Sequence, residues 1–277
     1  MKTDPFFSDN ADVRRAALER CAHMADHERF TLASEIAGIA KRAADRLAHA
    51  DENHVSTTSH ATELGRAALA LSMLRGEVAK NCLFRIADER SYAVKSALAK
   101  SLRETRTAEG RGILIYLLSD DDAQADALVA IGAAPWPEVL PALIEIAEAD
   151  DRAARLAARS IARCGATAGP NEANAAASFL LEQLDDESVL FAAADAIVRY
   201  GHRFTGVPEK ARQLARDQGN RRVAGAAILA AAGASLELVK PQKIEEAGLA
   251  FLRSLRDDPD PAVRGAAHRA SAALGLT

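Results

Sequence analysis

The chain is poor in the residues that build disulfide-stapled folds, membrane spans and aromatic pockets. Among 277 residues there are three cysteines, one tryptophan and nine prolines, and aromatic residues make up 4%. Cys21, Cys82 and Cys164 are far apart in the sequence and lie within helical patterns. This spacing argues against a disulfide framework and predicts reduced, buried thiols.

Targeting segments and catalytic motifs are also missing. Residues 1–10 are polar apart from Phe6 and Phe7, and no stretch approaches the roughly 18 uninterrupted apolar residues of a membrane helix. The sequence therefore predicts a cytoplasmic protein with no membrane contact. Phosphate-binding glycine loops, a nucleophile elbow and zinc-type cysteine pairs are absent as well, so we expect no enzyme activity and no cofactor.

Charge is nearly balanced overall but unevenly distributed. The net charge of −4 creates no global attraction to nucleic acid. No lysine or arginine lies between Arg111 and Arg152. The carboxylates in that stretch are Asp120, Asp121, Asp122, Asp126, Glu138, Glu145, Glu148, Asp150 and Asp151. An acidic segment between basic ones suits a partner of mixed charge, and we expect that partner to be a protein.

The sequence does contain a repeat. Residues 257–275 read DDPDPAVRGAAHRASAALG, and imperfect copies of this phrase recur upstream about every 30 to 42 residues. The copies start at Val263, Val223, Val189, Ala154, Val94 and Val13, with a weaker one around residues 125–128. A period of this length indicates a stacked helical repeat.

Each copy has its own start and stop signals. Acidic or polar turns such as 185–188, 150–151 and 88–91 precede the copies, and their side-chain oxygens can accept hydrogen bonds from free helix amides. Glycines about ten residues later fit the left-handed position at a helix end. These glycines are Gly132, Gly165, Gly201, Gly233 and Gly275. Apolar residues at helical spacing fill the intervals, so the unit is a helix, a short turn and a second helix.

These residues resemble HEAT repeats, including the short bacterial kind found in the phycobilin-lyase-like group. The D-x-D-P-x-V-R-x-x-A motif at residues 258–267 is the most specific part of the resemblance. It implies an all-α fold, a right-handed α-solenoid of about seven HEAT-like hairpins after a leading N-terminal helix, with second helices on the concave wall. It also implies that Arg14, Arg155 and Arg264, with Lys95 as a variant, bridge to acidic residues of the neighbouring turn.

The resemblance covers nearly the whole chain, so we predict one domain over residues 1–277. Its regular repeats span 76–277, and 1–75 form an irregular or capping part. Residues 27–75 fit the motif worst. They are expected to form a long helix over 28–50 and a polar connection over 51–60.

A basic stripe is the leading candidate for a binding surface. Arg152, Arg155, Arg159 and Arg163 follow one another on a second helix and lie within about 80° of one another at 100° per residue. Lys95 and Arg103 hold matching positions two repeats earlier. Leu190 and Val198, at positions equivalent to Arg155 and Arg163, are predicted to continue the strip as an apolar patch. The alternative is an ordinary solvated face paired with nearby carboxylates.

Metal and enzyme alternatives are weaker. Five of the seven histidines lie in the N-terminal region, and His23 and His27 have the i, i+4 spacing of two ligands on one helix face, but no third ligand is evident. Deoxyhypusine hydroxylase, a HEAT-repeat di-iron enzyme, uses several His-Glu pairs, whereas only His27-Glu28 occurs here. A bilin lyase activity rests on family analogy alone.

The leading interpretation is therefore a non-catalytic scaffold or adaptor that binds a protein through the concave helix face. The alternative is a nucleic-acid-binding protein that resembles the HEAT-like alkylpurine DNA glycosylases and uses the same basic stripe on phosphates. Those enzymes line their groove with aromatics, whereas the one tryptophan of this chain, Trp136, lies between two prolines at a helix start. We expect Trp136 to serve packing.

Overall fold

A computed structural model describes residues 3–50, 55–103 and 105–276 of the chain. These residues form helices, turns and loops without any strand, so the predicted all-α class is confirmed. None of the described helices is long and apolar enough to cross a membrane. The contacts between helices divide the chain into two compact units, residues 1–134 and 135–277.

The first unit begins with two short helices and continues with three helical hairpins. Its helices, in chain order, are α1 (Asp4–Phe7), α2 (Ala11–Cys21), α3 (Asp26–Ala48), α4 (Val55–Leu74), α5 (Gly76–Ala87), α6 (Tyr92–Leu102), α7 (Ala108–Leu118) and α8 (Gln124–Ala133). The pairs α3/α4, α5/α6 and α7/α8 are the hairpins. The second helices α4, α6 and α8 pack against one another in sequence order.

The second unit consists of four hairpins. Its helices are α9 (Leu140–Ala147), α10 (Asp151–Ala166), α11 (Pro170–Gln183), α12 (Leu190–Ala196), α13 (Val207–Arg216), α14 (Gly219–Ala231), α15 (Glu246–Arg256) and α16 (Pro261–Ala273). A 3-10 turn over Pro137–Val139 leads into α9, and a π-helical turn over Ile197–Gly201 extends α12. The second helices α10, α12, α14 and α16 pack in order.

Small residues explain how the second helices stack. The repeated alanine pairs are buried, as at Ala157–Ala158, Ala193–Ala194 and Ala226–Ala227. Side chains this small let neighbouring helix axes approach closely, while the adjacent valine and leucine rows fill the space between hairpins. The described residues thus form two stacks, one of three hairpins after a leading pair of helices and one of four hairpins, and each stack is an α-solenoid arrangement whose handedness stays a prediction.

The predicted capping of helix starts holds at some turns. Asp150 accepts from the amide of Ala153 at 2.8 Å, and Asp260 accepts from the amide of Ala262 at 2.8 Å. Ser91, in contrast, begins α6 without a side-chain hydrogen bond to a helix amide. Carboxylates at the first two starts also interact favourably with the positive end of the helix dipole.

The glycines divide into two groups. Gly233 and Gly275 adopt the predicted left-handed conformation, with φ of 68° and 80°. Gly132, Gly165 and Gly201 do not, so that prediction was wrong for them. Gly165 lies inside α10, where an added Cβ would come within 2.4 Å of the Cβ of Ala176. Close approach between α10 and α11, not backbone conformation, therefore requires glycine at position 165.

The N-terminal hairpin has the longest helices among the described residues. Helix α3 has 23 residues and α4 has 20, whereas no later helix exceeds 16. The polar connection predicted over 51–60 is shorter than expected, because residues 55–60 are already helical. Residues 51–54, which include His54, lie outside the described residues.

Candidate functional site

The four arginines of α10 lie on one face of that helix, where Arg152, Arg155 and Arg159 are exposed and Arg163 is half-buried. The opposite face of α10 is buried and includes Ala157, Ala158 and Ile161, which pack into the unit. Leu156 lies on the arginine side and is 36% exposed. The α10 stripe is hereafter Arg152, Arg155, Arg159 and Arg163.

Contacts to α12 and the turn before it hold the stripe in place. Arg155 donates to the backbone oxygen of Ser188 at 3.2 Å, and the guanidinium of Arg159 pairs with Asp195 at 2.5 Å. The guanidinium carbon of Arg163 lies 5.8 Å from the centre of the Tyr200 ring, a cation–π distance. Tyr200 is 37% exposed. Three of the four stripe arginines are thus held by contacts with the neighbouring hairpin.

A buried charge network lies beneath the stripe. Asp195 accepts from Arg159 and also from Arg199 at 2.8 Å, and Arg199 in turn pairs with Asp258. The side chains of Asp195 and Asp258 are only 8% and 6% exposed. Two arginines and two aspartates neutralise one another, so the buried carboxylates and Arg199 have charged partners, while Arg159 reaches solvent at one end of the network.

The network reaches the repeat motif itself. Besides pairing with Arg199, Asp258 accepts from the amide of Asp260 at 2.7 Å. The first aspartate of the D-x-D-P motif therefore shapes the turn before α16 and binds the end of α12 at the same time.

Leu190 and Val198 do not continue the stripe. They are 1% and 3% exposed, respectively, so the prediction of an apolar surface patch was wrong. Asp195 and Arg199 hold the positions beside the stripe instead. The partner of Arg159 lies 36 residues further on, whereas the repeat alignment assumed a spacing of 35. A one-residue offset of about 100° moves a helical side chain from the surface to the core.

Lys95 and Arg103 belong to the first unit and differ in exposure. Lys95 is 8% exposed and pairs with Asp120, so it is not an open surface cation as predicted. Burial raises the pKa of Asp120, but hydrogen bonds from Lys95 and the amide of Ala123 outweigh it and hold that pKa below its usual value. Arg103 follows the end of α6 and is exposed.

The motif arginines mostly bind backbone, not acidic side chains. Arg14 donates to the carbonyl oxygens of Ser8 and Asp9 at 2.6 and 2.9 Å. Arg264 repeats this geometry with Asp258 and Pro259, at 2.6 and 2.8 Å. At Arg14 and Arg264 a clamp on the carbonyl groups of the preceding turn therefore replaces the bridge to acidic side chains that the HEAT resemblance implies, whereas Lys95 makes the implied bridge, to Asp120.

Basic side chains of α13 and α14 also pair with carboxylates. Asp185 binds both Lys210, at 2.5 Å, and Arg221, and Arg212 pairs with Glu209 at 3.0 Å. One aspartate of the turn between α11 and α12 therefore ties α13 and α14 together. Lys210 and Arg221 therefore serve packing between hairpins, whereas the Arg212–Glu209 pair lies within α13.

The described residues contain no group of three or more potential metal ligands among His, Cys, Asp and Glu. His23 and His27 are exposed side chains of the N-terminal part. Burial raises the pKa of the Cys21 and Cys164 thiols to about 11, with smaller opposing effects from hydrogen bonds and from Arg20 and Arg163. All three cysteines are free thiols, and Cys82 is half-buried.

Trp136 is 3% exposed, which confirms that it serves packing. Sequence reasoning missed Leu156, Tyr200 and Asp195 as neighbours of the stripe. A carboxylate within the alanine-rich run 192–196 was the available signal, because an isolated charge on a small-residue helix needs a partner.

Comparison with known proteins finds structural likeness only. No protein-family model matches the chain, and the search of curated proteins finds no match. An engineered protein solved by the Northeast Structural Genomics Consortium is 17% identical, with 98% of this chain and 77% of that chain covered and a TM-score of 0.42.

Two further structures are similar at the same identity. Human deoxyhypusine hydroxylase in complex with glycerol is 17% identical over 88% of this chain and 98% of that chain, with a TM-score of 0.30. A designed armadillo repeat protein is 17% identical over 98% of this chain and 97% of that chain, with a TM-score of 0.22. Identities and TM-scores this low assign no function to the chain.

Proposed function

We propose that the chain is a non-catalytic HEAT-like scaffold that binds a protein partner through the α10 stripe. The observation that supports this is the row of arginines on one exposed helix face, with Leu156 and Tyr200 beside it. Arginine and tyrosine are enriched where proteins bind one another, whereas solvated faces are richer in lysine and glutamate.

Preorganisation favours this role. Arg155, Arg159 and Arg163 are each held by a contact with the neighbouring hairpin. A partner that binds them loses little side-chain freedom, which reduces the entropic cost of association. Carboxylates on the partner would meet Arg152 and Arg155, and an apolar residue would meet Leu156. We therefore expect the partner to bind through an acidic segment that also carries one apolar side chain.

A nucleic-acid partner has less support. Phosphate binding requires cations that are not already neutralised. Asp195 neutralises Arg159, and Asp120 neutralises Lys95, so two of the six cations predicted to contact a partner are committed internally. The described residues around the stripe also offer one exposed ring, Tyr200, for stacking on bases.

The test is a charge reversal that avoids the buried network. Within the described residues, Arg152 and Arg155 make no ion pair, so R152E/R155E changes the surface without leaving a buried aspartate unpaired. The tagged chain is used to purify partners from its native cytoplasm at low salt after nuclease treatment. We expect a stoichiometric protein to be retained by the unaltered chain and lost from R152E/R155E.

The matched control is R216E/K243E, which changes the net charge equally at exposed positions of the same unit. Capture by this control must equal that of the unaltered chain. If R152E/R155E still retains the partner, the stripe is not the binding surface. If binding occurs only before nuclease treatment and weakens steeply with salt, the nucleic-acid alternative replaces the scaffold.

A further inference from the structure

A second candidate surface lies on α9 and α11, which are the first helices of two neighbouring hairpins in the second unit. Helices α9 and α11 leave a groove of about 460 Å³ between them, within the size range of ligand-binding clefts. The apolar part of its lining consists of Leu140, Pro141, Ile144 and Ala175. We call this the α9–α11 groove. It shares no residue with the α10 stripe.

Carboxylates line both walls of the groove. Glu145 and Glu148 lie on the α9 side, Glu172 lies on the α11 side, and all three are exposed. Within the described residues, none of the three carboxylates makes an ion pair or a side-chain hydrogen bond. Helices α9 and α11 contain no lysine or arginine. Negative charge at the groove is therefore not offset by cations on the helices that form it.

The helix dipole adds to this charge on one side. Glu148 lies at the C-terminal end of α9, where unpaired carbonyl groups carry partial negative charge. Glu145 and Glu148 are three residues apart, about one helical turn, so they lie along the same wall. This end of the groove is consequently the strongest site for a cation on an incoming ligand.

We infer that the α9–α11 groove binds a basic amphipathic helix whose apolar ridge enters the groove while lysine or arginine residues on either side meet the carboxylates. An apolar stripe flanked on both sides by cations is a helical pattern, because an extended peptide presents alternate residues on opposite faces. Anionic lipid surfaces and nucleic acids are repelled by the same carboxylates. The inference is independent of the proposed function, since the groove and the stripe are lined by different residues.

The probe is a short synthetic peptide with leucines at i, i+3, i+4 and i+7, flanked by lysines and labelled with a fluorophore. Its control peptide keeps the leucines and replaces every lysine by glutamate. Fluorescence anisotropy with the full chain is expected to show saturable binding of the lysine peptide only. Raising the salt concentration weakens this binding because the carboxylates are exposed.

Two variants locate the site. E145K/E148K is expected to weaken binding about tenfold, from the loss of two charge pairs at a partly apolar surface. E182K/E237K makes the same change of charge at exposed positions away from the groove and should leave the affinity unchanged. Ala175→Trp fills the groove without changing its charge and is expected to abolish binding.

Several outcomes would overturn the inference. One is equal loss of affinity in E145K/E148K and E182K/E237K, which would show a nonspecific charge effect. Another is equal binding of both peptides, and a third is no binding of the lysine peptide at all. If sedimentation shows self-association that E145K/E148K abolishes, a second copy of the chain occupies the groove instead. R152E/R155E should bind the lysine peptide normally, which separates this inference from failure of the proposed function.

Discussion

Asp195 connects the packing of the second unit with its exposed basic face. Its carboxylate accepts from Arg159 and Arg199 while being only 8% exposed. Arg159 is 61% exposed in its side chain, so one end of the interaction reaches solvent and the other is buried. Two guanidinium partners compensate the charge of this buried carboxylate. A buried carboxylate or a buried guanidinium without a partner of opposite charge would destabilise the fold.

Replacing Asp195 by alanine should destabilise the chain by about 3 kcal/mol, because Arg199 then stays buried with one carboxylate partner and Arg159 loses its anchor. Urea unfolding monitored by circular dichroism measures the change. Asp12→Ala is the control, since Asp12 pairs with Arg15 at 3.7 Å with side chains 87% and 72% exposed.

For that exposed pair we expect a change within about 0.5 kcal/mol. Equal effects of Asp195→Ala and Asp12→Ala would show that the buried network contributes no more than a surface ion pair. The same Asp195 variant should also weaken partner capture, because Arg159 would no longer be held beside Arg155.

At the scale of helices, close approach determines where glycine is required. Gly225 lies in the middle of α14, where an added Cβ would come within 2.5 Å of the backbone nitrogen of Ala215 and 2.7 Å of the oxygen of Ala211. Both atoms belong to α13, whose backbone cannot rotate away as a side chain can. The contact between α13 and α14 is therefore backbone against backbone.

Gly225→Ala should accordingly cost about 2 kcal/mol, since the two helices must move apart. Gly112→Ala is the matched change within α7, where no heavy atom lies within 4 Å of the added Cβ. Because alanine favours helix over glycine, Gly112→Ala should stabilise the chain by about 0.5–1 kcal/mol. Denaturation midpoints of the two variants should therefore shift in opposite directions; a shift in the same direction would contradict the argument from close contact.

The sequence predicted the hairpins because their signals are local. Asp150 and Asp260 cap their helices as expected, and the alanine pairs are buried seams. The predictions were wrong for residues whose surroundings depend on a neighbouring hairpin. Leu190 is buried because of a one-residue offset, Lys95 is committed to Asp120, and Gly165 is required by the approach of Ala176.

The candidate surfaces show the same division. Helical periodicity placed the four stripe arginines on one face, because that spacing is a property of α10 alone. Tyr200 and Asp195 come from the next hairpin, and the α9–α11 groove depends on how far two helices diverge. The sequence pattern of a single helix does not predict the distance between two helices.

For the molecule as a whole, the net charge of −4 is small although the chain has one basic and one acidic surface. Both lie within residues 135–277, the basic one on α10 and the acidic one on α9 and α11. This unit has its own buried core, formed by contacts among its four hairpins. In repeat proteins, stability comes mainly from contacts between adjacent repeats, so four hairpins provide three such interfaces.

Residues 135–277 expressed alone should therefore fold and keep both surfaces. We expect a helical circular dichroism spectrum, cooperative urea unfolding, and affinities for the partner and the lysine peptide close to those of the full chain. Residues 1–134, expressed in the same way, should bind neither, because they contain no residue of the stripe or the groove. If residues 135–277 fold yet fail to bind the partner, the first unit must contribute to recognition, and exposed Arg103 is then the first residue to test by substitution.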